Sequence, residues 1–178
     1  MPKYIALLRG INVSGKNKIK MQDLRVLLAE HQLTNVQTYI QSGNVLFDSD
    51  EPAKTLASKI EKAIHTAYGF DVPVLVKTKS ELKKMATANP YLKDRSEEIR
   101  FLALAFLEDK PKKEQQEAIE TTKYLPDEWQ ADGKGIYLFC PNGFGRTKLT
   151  NNFFERKLKM RATTRNWKTV LKLLEMLA

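Results

Sequence analysis

After the apolar run Tyr4-Ile5-Ala6-Leu7-Leu8 and Arg9, the chain reads Gly10-Ile11-Asn12-Val13-Ser14-Gly15-Lys16-Asn17, which spells G-x-x-x-x-G-K. At that spacing a glycine-rich loop cradles phosphate on backbone N–H groups, and the lysine reaches the terminal oxygens. The next position of such a loop carries a Ser or Thr hydroxyl for magnesium, and here it is Asn17. Nor does Lys18-Ile19-Lys20 open a helix, as a nucleotide triphosphatase would require. What is left is a Gly, Asn and Lys loop with the chemistry of anion binding.

Two further polar runs have chemical potential. In Arg146-Thr147-Lys148-Leu149-Thr150-Asn151-Asn152-Phe153-Phe154-Glu155, Asn152 and Glu155 stand at the spacing of a capping box. Arg146 and Lys148 ahead of a helix start equally suit an anion. In Ala162-Thr163-Thr164-Arg165-Asn166-Trp167, Thr164 reads as an N-cap, which puts Arg165 and Asn166 in a first helical turn. An arginine there opposes the helix dipole and calls for a carboxylate or a ligand. Cys140 has no histidine near it in sequence, and Ser14 and Ser42 lack a G-x-S-x-G frame. His31 and His65 lack metal-ligand spacing, so neither a metal nor a cofactor is expected.

Charge points to the same ends of the chain. The 178 residues have a formal charge of +9. Residues 1–20 contribute +5 and residues 141–178 contribute +7, whereas the stretch between them is at −3. Brought together, the two ends would form one basic surface for phosphate or nucleic acid. No apolar run approaches the 18 residues of a membrane span. Arg9 interrupts the opening apolar stretch before it reaches signal-peptide length. A single cysteine fits a reducing compartment, so a cytoplasmic protein without membrane attachment is expected.

The elements that must position these loops follow from periodicity. Residues 3–8 read as a central strand, and Met21, Leu24, Leu27 and Leu28 mark a helix to about His31. Residues 36–41 and 44–48 form a hairpin through Ser42-Gly43. A helix after Pro52 shows Leu56, Ile60, Ile64 and Ala67 on one face, and Gly69 ends it. Residues 72–76 return as a strand that Pro73 confines to an edge or to its start. The order is β-α-β-β-α-β, the ferredoxin-like arrangement. That order also occurs in an RNA-recognition module with aromatics on its first and third strands. The third strand here offers only Phe47, and Tyr4 and Phe47 read more simply as core or edge residues.

The second half repeats the pattern less fully. A short helix at 80–87 and the Asn89-Pro90 break precede a buried strand at 101–107. Pro111 opens a helix whose face includes Ala118 and Ile119. Asp132-Gly133 turns a hairpin between Trp129 and residues 136–139, and helices follow at 151–160 and 165–177. The expected fold is α+β: two packed ferredoxin-like (α/β-plait) subdomains with antiparallel sheets. They span residues 1–79 and 80–178, the second incomplete and followed by C-terminal helices.

The opening block through Asn17, with Met21 and Leu24, resembles an uncharacterised bacterial family known as domain of unknown function 1697. Thr38-Tyr39-Ile40-Gln41-Ser42-Gly43-Asn44-Val45, Lys148-Leu149-Thr150-Asn151-Asn152 and Ala162-Thr163-Thr164-Arg165-Asn166-Trp167 are similar to its later blocks. Ser14 departs from the family's usual glycine. The resemblance implies two ferredoxin-like plaits and no particular activity. Its blocks coincide with polar loops, and polar residues that define a loop motif point to a site.

The candidate ligand- or phosphate-binding residues are therefore Arg9, Asn12, Lys16, Asn17, Gln41, Ser42, Asn44, Arg146, Lys148, Asn151, Asn152, Arg165 and Asn166, with Lys18 adding charge. They suit a binding module for nucleic acid or a phosphorylated ligand. An enzyme acting on a phosphorylated small molecule is a second reading, with Glu155 as its base. A third is a protein-interaction adaptor whose Asn and Gln side chains only brace loops. Catalytic residues and oligomeric state are not legible in the sequence.

Overall fold

Residues 4–8 are apolar without interruption because the strand they form, β1 (Lys3–Leu8), is buried at each of those positions. In the computed structural model, which describes residues 1–178, β1 is followed by α1 (Met21–Glu30), β2 (Thr34–Tyr39), β3 (Asn44–Asp48), α2 (Ala53–Tyr68) and β4 (Val74–Thr78). The sheet order is β2-β3-β1-β4, with every neighbour antiparallel. This is the ferredoxin-like unit expected from the sequence.

Alternation along the strands sorts the core. Tyr4, Ala6 and Leu8 of β1 join Val45 and Phe47 of β3 against Leu24 and Leu28 of α1 and Leu56, Ile60 and Ile64 of α2. Each such buried aliphatic side chain contributes about 1.5–3 kcal/mol relative to exposure. Tyr4 and Phe47 stack at 5.8 Å within this core, so they offer no aromatic platform for bases. Pro52 is the N-cap of α2, and Gly69 closes it in the left-handed region. Ala63 is buried on the core face, and Ala67, expected there, is exposed. Pro73 directly precedes β4 at the sheet edge, where its missing N–H costs no ladder bond.

β2 occupies the opposite edge. Its register against β3 shifts between Thr34 and Gln37, where Asn35 takes φ +51° and donates from its amide to Asp48 Oδ2 at 2.6 Å. Gln41 lies beyond β2, in the turn that leads to β3.

The second half runs α3 (Lys79–Thr87), α4 (Pro90–Lys93), β5 (Leu102–Leu107), α5 (Lys113–Glu117), β6 (Glu128–Asp132), β7 (Gly135–Phe139), α6 (Asn151–Leu158), β8 (Ala162–Asn166) and α7 (Trp167–Leu177). Its sheet order is β6-β7-β5-β8, again fully antiparallel. The chain divides into two compact units: residues 1–83 with 173–178, and residues 84–172.

Four local expectations are corrected here. The second plait is complete, because residues 162–166 form its fourth strand. Thr163 and Thr164, β-branched and comfortable in a strand, pair with Phe106 and Ala105. The cap of α7 is therefore Asn166, whose Oδ1 accepts from Thr169 N at 2.9 Å, and not Thr164. Arg165 accordingly sits in β8 and not in a helical turn. The short α5 leaves Ala118 exposed at its C-cap, and only Ile119 is buried.

The two plaits also share a detail of register. Lys77 is the fourth residue of β4 and faces Ile5; Arg165 is the fourth residue of β8 and faces Leu104. Both cations are buried. Arg165 donates to Thr163 Oγ1 at 2.9 Å and to the Thr164 carbonyl at 3.0 Å, and burial pushes its pKa down to about 10.

Cys140, just past β7, is fully buried, with its thiol directed to Thr147 Oγ1 at 3.7 Å. Burial is the main cause that pushes its pKa from 9.0 up to about 11. The thiol should resist aromatic disulfide reagents at mildly alkaline pH while the protein is folded and react fully once urea unfolds it. Because the folded pKa is the raised one, its contribution to stability is intact below pH 9 and falls away as pH rises toward about 11. Equal labelling rates with and without urea would contradict this burial.

Candidate functional site

In the first unit the loop after β1 is held as a small tongue. Lys16 N donates to the Val13 carbonyl at 2.9 Å, and Ser14 and Gly15 between them both have positive φ, at +50° and +74°. That is the geometry of a type I′ hairpin turn. One rung below, Asn12 N donates to the Asn17 carbonyl at 3.1 Å. Asn12 and Asn17 themselves take φ near the left-handed helix, at +54° and +48°, which asparagine tolerates better than most residues. The helix α1 starts only at Met21, and β1 has antiparallel neighbours. The G-x-x-x-x-G-K spacing is thus a hairpin tip and not a strand-to-helix phosphate loop.

Asn12 ties this tongue to the turn between β2 and β3. Its amide nitrogen donates to the Ile19 carbonyl at 3.0 Å and to the Gln41 carbonyl at 2.9 Å, and its Oδ1 accepts from Ile19 N at 2.9 Å. Asn17 donates to the Gly10 carbonyl at 3.2 Å. Asn44, wholly buried, donates to the Tyr39 carbonyl at 3.1 Å and to Ser42 Oγ at 3.0 Å. Gly43 closes the turn, its carbonyl accepting from Leu8 N at 2.8 Å. The three asparagines are committed to backbone geometry.

The side chains this scaffold presents are cationic. Lys16, Lys18 and Lys20 are exposed, as are Gln41 and Ser42 on the adjoining turn. Arg9 is half-buried, which lowers its pKa, and its backbone N–H donates to the Pro73 carbonyl at 3.0 Å. No carboxylate occurs in the sequence before Asp23. The exposed apolar residues Val13 and Ile40 stand among these cations, and Ile40 holds a φ of +50° that a β-branched side chain adopts only under strain.

In the second unit the remaining candidates divide between bracing and exposure. Thr150 is the N-cap of α6, with Oγ1 accepting from Phe153 N at 3.2 Å, so the expected Asn152–Glu155 capping box is not formed. Glu155 instead accepts from Ala162 N at 3.1 Å, and Asn151 Oδ1 accepts from Thr164 Oγ1 at 2.6 Å. Both contacts hold α6 to β8. Asn152 and Asn166 are exposed, the latter serving as the α7 cap. Arg146 and Lys148 are exposed on the wall of a cleft of about 720 Å³, which Lys123, Tyr124, Asp127 and Asn142 also line. The sequence singles out Arg146 and Lys148 of this cleft but not Lys123, Tyr124, Asp127 or Asn142, which the fold brings beside them. Gly143 and Gly145, flanking Phe144 just before Arg146, were the signal that marks it.

Six of the candidates belong to the second unit, and the seven from Arg9 to Asn44 to the first. No three or more His, Cys, Asp or Glu side chains gather in a way that could hold a metal ion. No helix is long and apolar enough to cross a membrane.

Comparison with known proteins agrees with this architecture. A solved structure, described as conserved bacterial protein SP0830 from Streptococcus pneumoniae, is similar over 99% of this chain and 99% of its own, at 26% identity and a TM-score of 0.75. No curated protein matches the chain. A family model described as "Protein of unknown function (DUF1697)" matches residues 1–137, which include the tongue and the 40–44 turn. The blocks at 148–152 and 162–167 lie beyond that match, and the likeness to the solved structure covers nearly the whole chain. Fold, loop architecture and family match converge, and the chain belongs to the DUF1697 family of proteins of unknown function.

Proposed function

We propose that this protein binds the phosphodiester backbone of nucleic acid through the tongue and turn of its first unit. One observation carries the reading: Lys16 on the tongue that Asn12 fixes to the neighbouring turn, and Lys18 and Lys20 on the segment leading from it into α1, are all exposed in a stretch without a carboxylate. Three cations so close in the chain attract phosphates and release their counterions, whatever the base sequence. Gln41 and Ser42 on the adjoining turn add polar groups of the kind that meet sugar and phosphate oxygens. The burial of Tyr4 and Phe47 argues for a grip on the backbone and against stacking on the sheet.

The reading is tested by fluorescence anisotropy of the full chain with labelled single-stranded DNA, duplex DNA and RNA over a range of salt concentrations. Affinity should fall linearly on a log–log salt plot. Absence of binding at low salt would refute it.

A further inference from the structure

The cleft of the second unit has a composition that the tongue lacks. Its volume, about 720 Å³, falls among small-molecule sites. Three cations line it, Lys123, Arg146 and Lys148, against one carboxylate, Asp127. Tyr124 supplies a half-buried ring, held edge-on to Phe153 at 5.1 Å, and Pro126 a second flat apolar surface.

Gly145 contributes to the cleft wall. A Cβ built on it meets nothing within 4 Å, and its φ lies outside the left-handed region. A glycine at this position leaves room on the wall that a larger side chain would take up. It also leaves a backbone segment bare on the cleft wall, directly before Arg146, where an anion can approach the main chain closely.

We infer that this cleft is a binding site for a nucleoside monophosphate or a phosphate monoester built like one. The phosphate is taken by Arg146, Lys148 and Lys123, with Arg146 able to present paired donors to two phosphate oxygens. Asp127, whose carboxylate also meets the Cys140 thiol, has acceptor capacity left for a sugar hydroxyl. Tyr124 and Pro126 provide the surface for a ring. The cleft shares no residue with the tongue and takes one small molecule, whereas the tongue follows a polymer.

The test is isothermal titration calorimetry of the full chain with adenosine 5′-monophosphate, inorganic phosphate and adenosine as probes. The nucleotide should bind saturably. Adenosine and phosphate should each bind at least about tenfold more weakly, since each lacks one half of the contacts. The double variant R146A/K148A should weaken nucleotide binding by about tenfold or more per cation removed. Gly145→Val should also weaken it without lowering Tm, because the added side chain starts in open space.

The triple variant K16A/K18A/K20A separates the two sites: it should retain nucleotide affinity while losing oligonucleotide affinity. Failure of the oligonucleotide experiment alone would count against the tongue and leave the cleft standing. No saturable heat at millimolar nucleotide would overturn the cleft proposal. Unchanged nucleotide affinity in R146A/K148A, or its loss in the tongue variant instead, would do the same.

Discussion

Replacing Lys16, Lys18 and Lys20 together with alanine is expected to reduce the salt dependence of duplex binding by about 2.7 in the log–log slope. The figure follows from about 0.9 released counterions per phosphate neutralised; for a single strand the corresponding change is about 2.1. Lines that converge near 1 M salt then separate by roughly 500-fold in affinity at about 0.1 M. The variant should keep its fold, because the three lysines are exposed and the tongue is held by Asn12 and Asn17. Anisotropy at four or five salt concentrations measures the slope directly. A triple variant with the wild-type slope would mean that the phosphates are contacted elsewhere.

Gly43→Ala should produce the largest loss of stability of any single methyl addition near the candidate site. The residue sits at φ +93°, where an L side chain is strained by about 1–2 kcal/mol. The new Cβ would also lie 2.6 Å from Leu8 Cβ and 3.0 Å from the Leu8 carbonyl oxygen. Neither is the tip of a flexible side chain; both belong to a central strand that cannot move aside without disturbing β3 and β4. Overpacking of this kind adds about 1–3 kcal/mol, for a total of roughly 3 kcal/mol. Urea denaturation followed by far-UV circular dichroism should show the midpoint shift, and a change below about 1 kcal/mol would contradict the close approach. Since Gly43 also anchors the turn that Asn12 grips, the same substitution should weaken oligonucleotide binding.

How much of this was written legibly in the chain depended on the kind of interaction. Apolar periodicity placed α1, α2, β1 and β5, because burial of a stripe or a continuous run leaves a pattern in residue type. It failed at β8, where the strand is Ala162-Thr163-Thr164-Arg165-Asn166. A buried arginine and two hydrogen-bonded hydroxyls do not look like a core strand. The two adjacent threonines, good strand formers, were the available signal. Ala67 misled because alanine is as comfortable exposed on a helix as buried.

At the candidate site the residue types were legible and their duties were not. Asn12, Asn17 and Asn44 have the donors to read a ligand, and each instead satisfies main-chain carbonyls in a tightly turned loop. Positive φ is invisible in a sequence unless glycine marks it, and here asparagine, serine and isoleucine share that conformation with glycine. The cleft walls come from residues 123–127 and 142–148, two segments that only the fold brings together.

The irregularity at β2 has a consequence for how this molecule meets its own kind. An edge strand shows a row of unpaired N–H and C=O groups, and a regular row is a template on which another chain can add a strand. At β2 the ladder slips between Thr34 and Gln37, with Asn35 turned to positive φ and its amide clasped to Asp48. An incoming strand that matches the first donors of this edge falls out of step at the next ones. The bulge thus works against edge-to-edge aggregation. It also directs any partner of this unit away from β-augmentation along β2 and toward recognition by side chains.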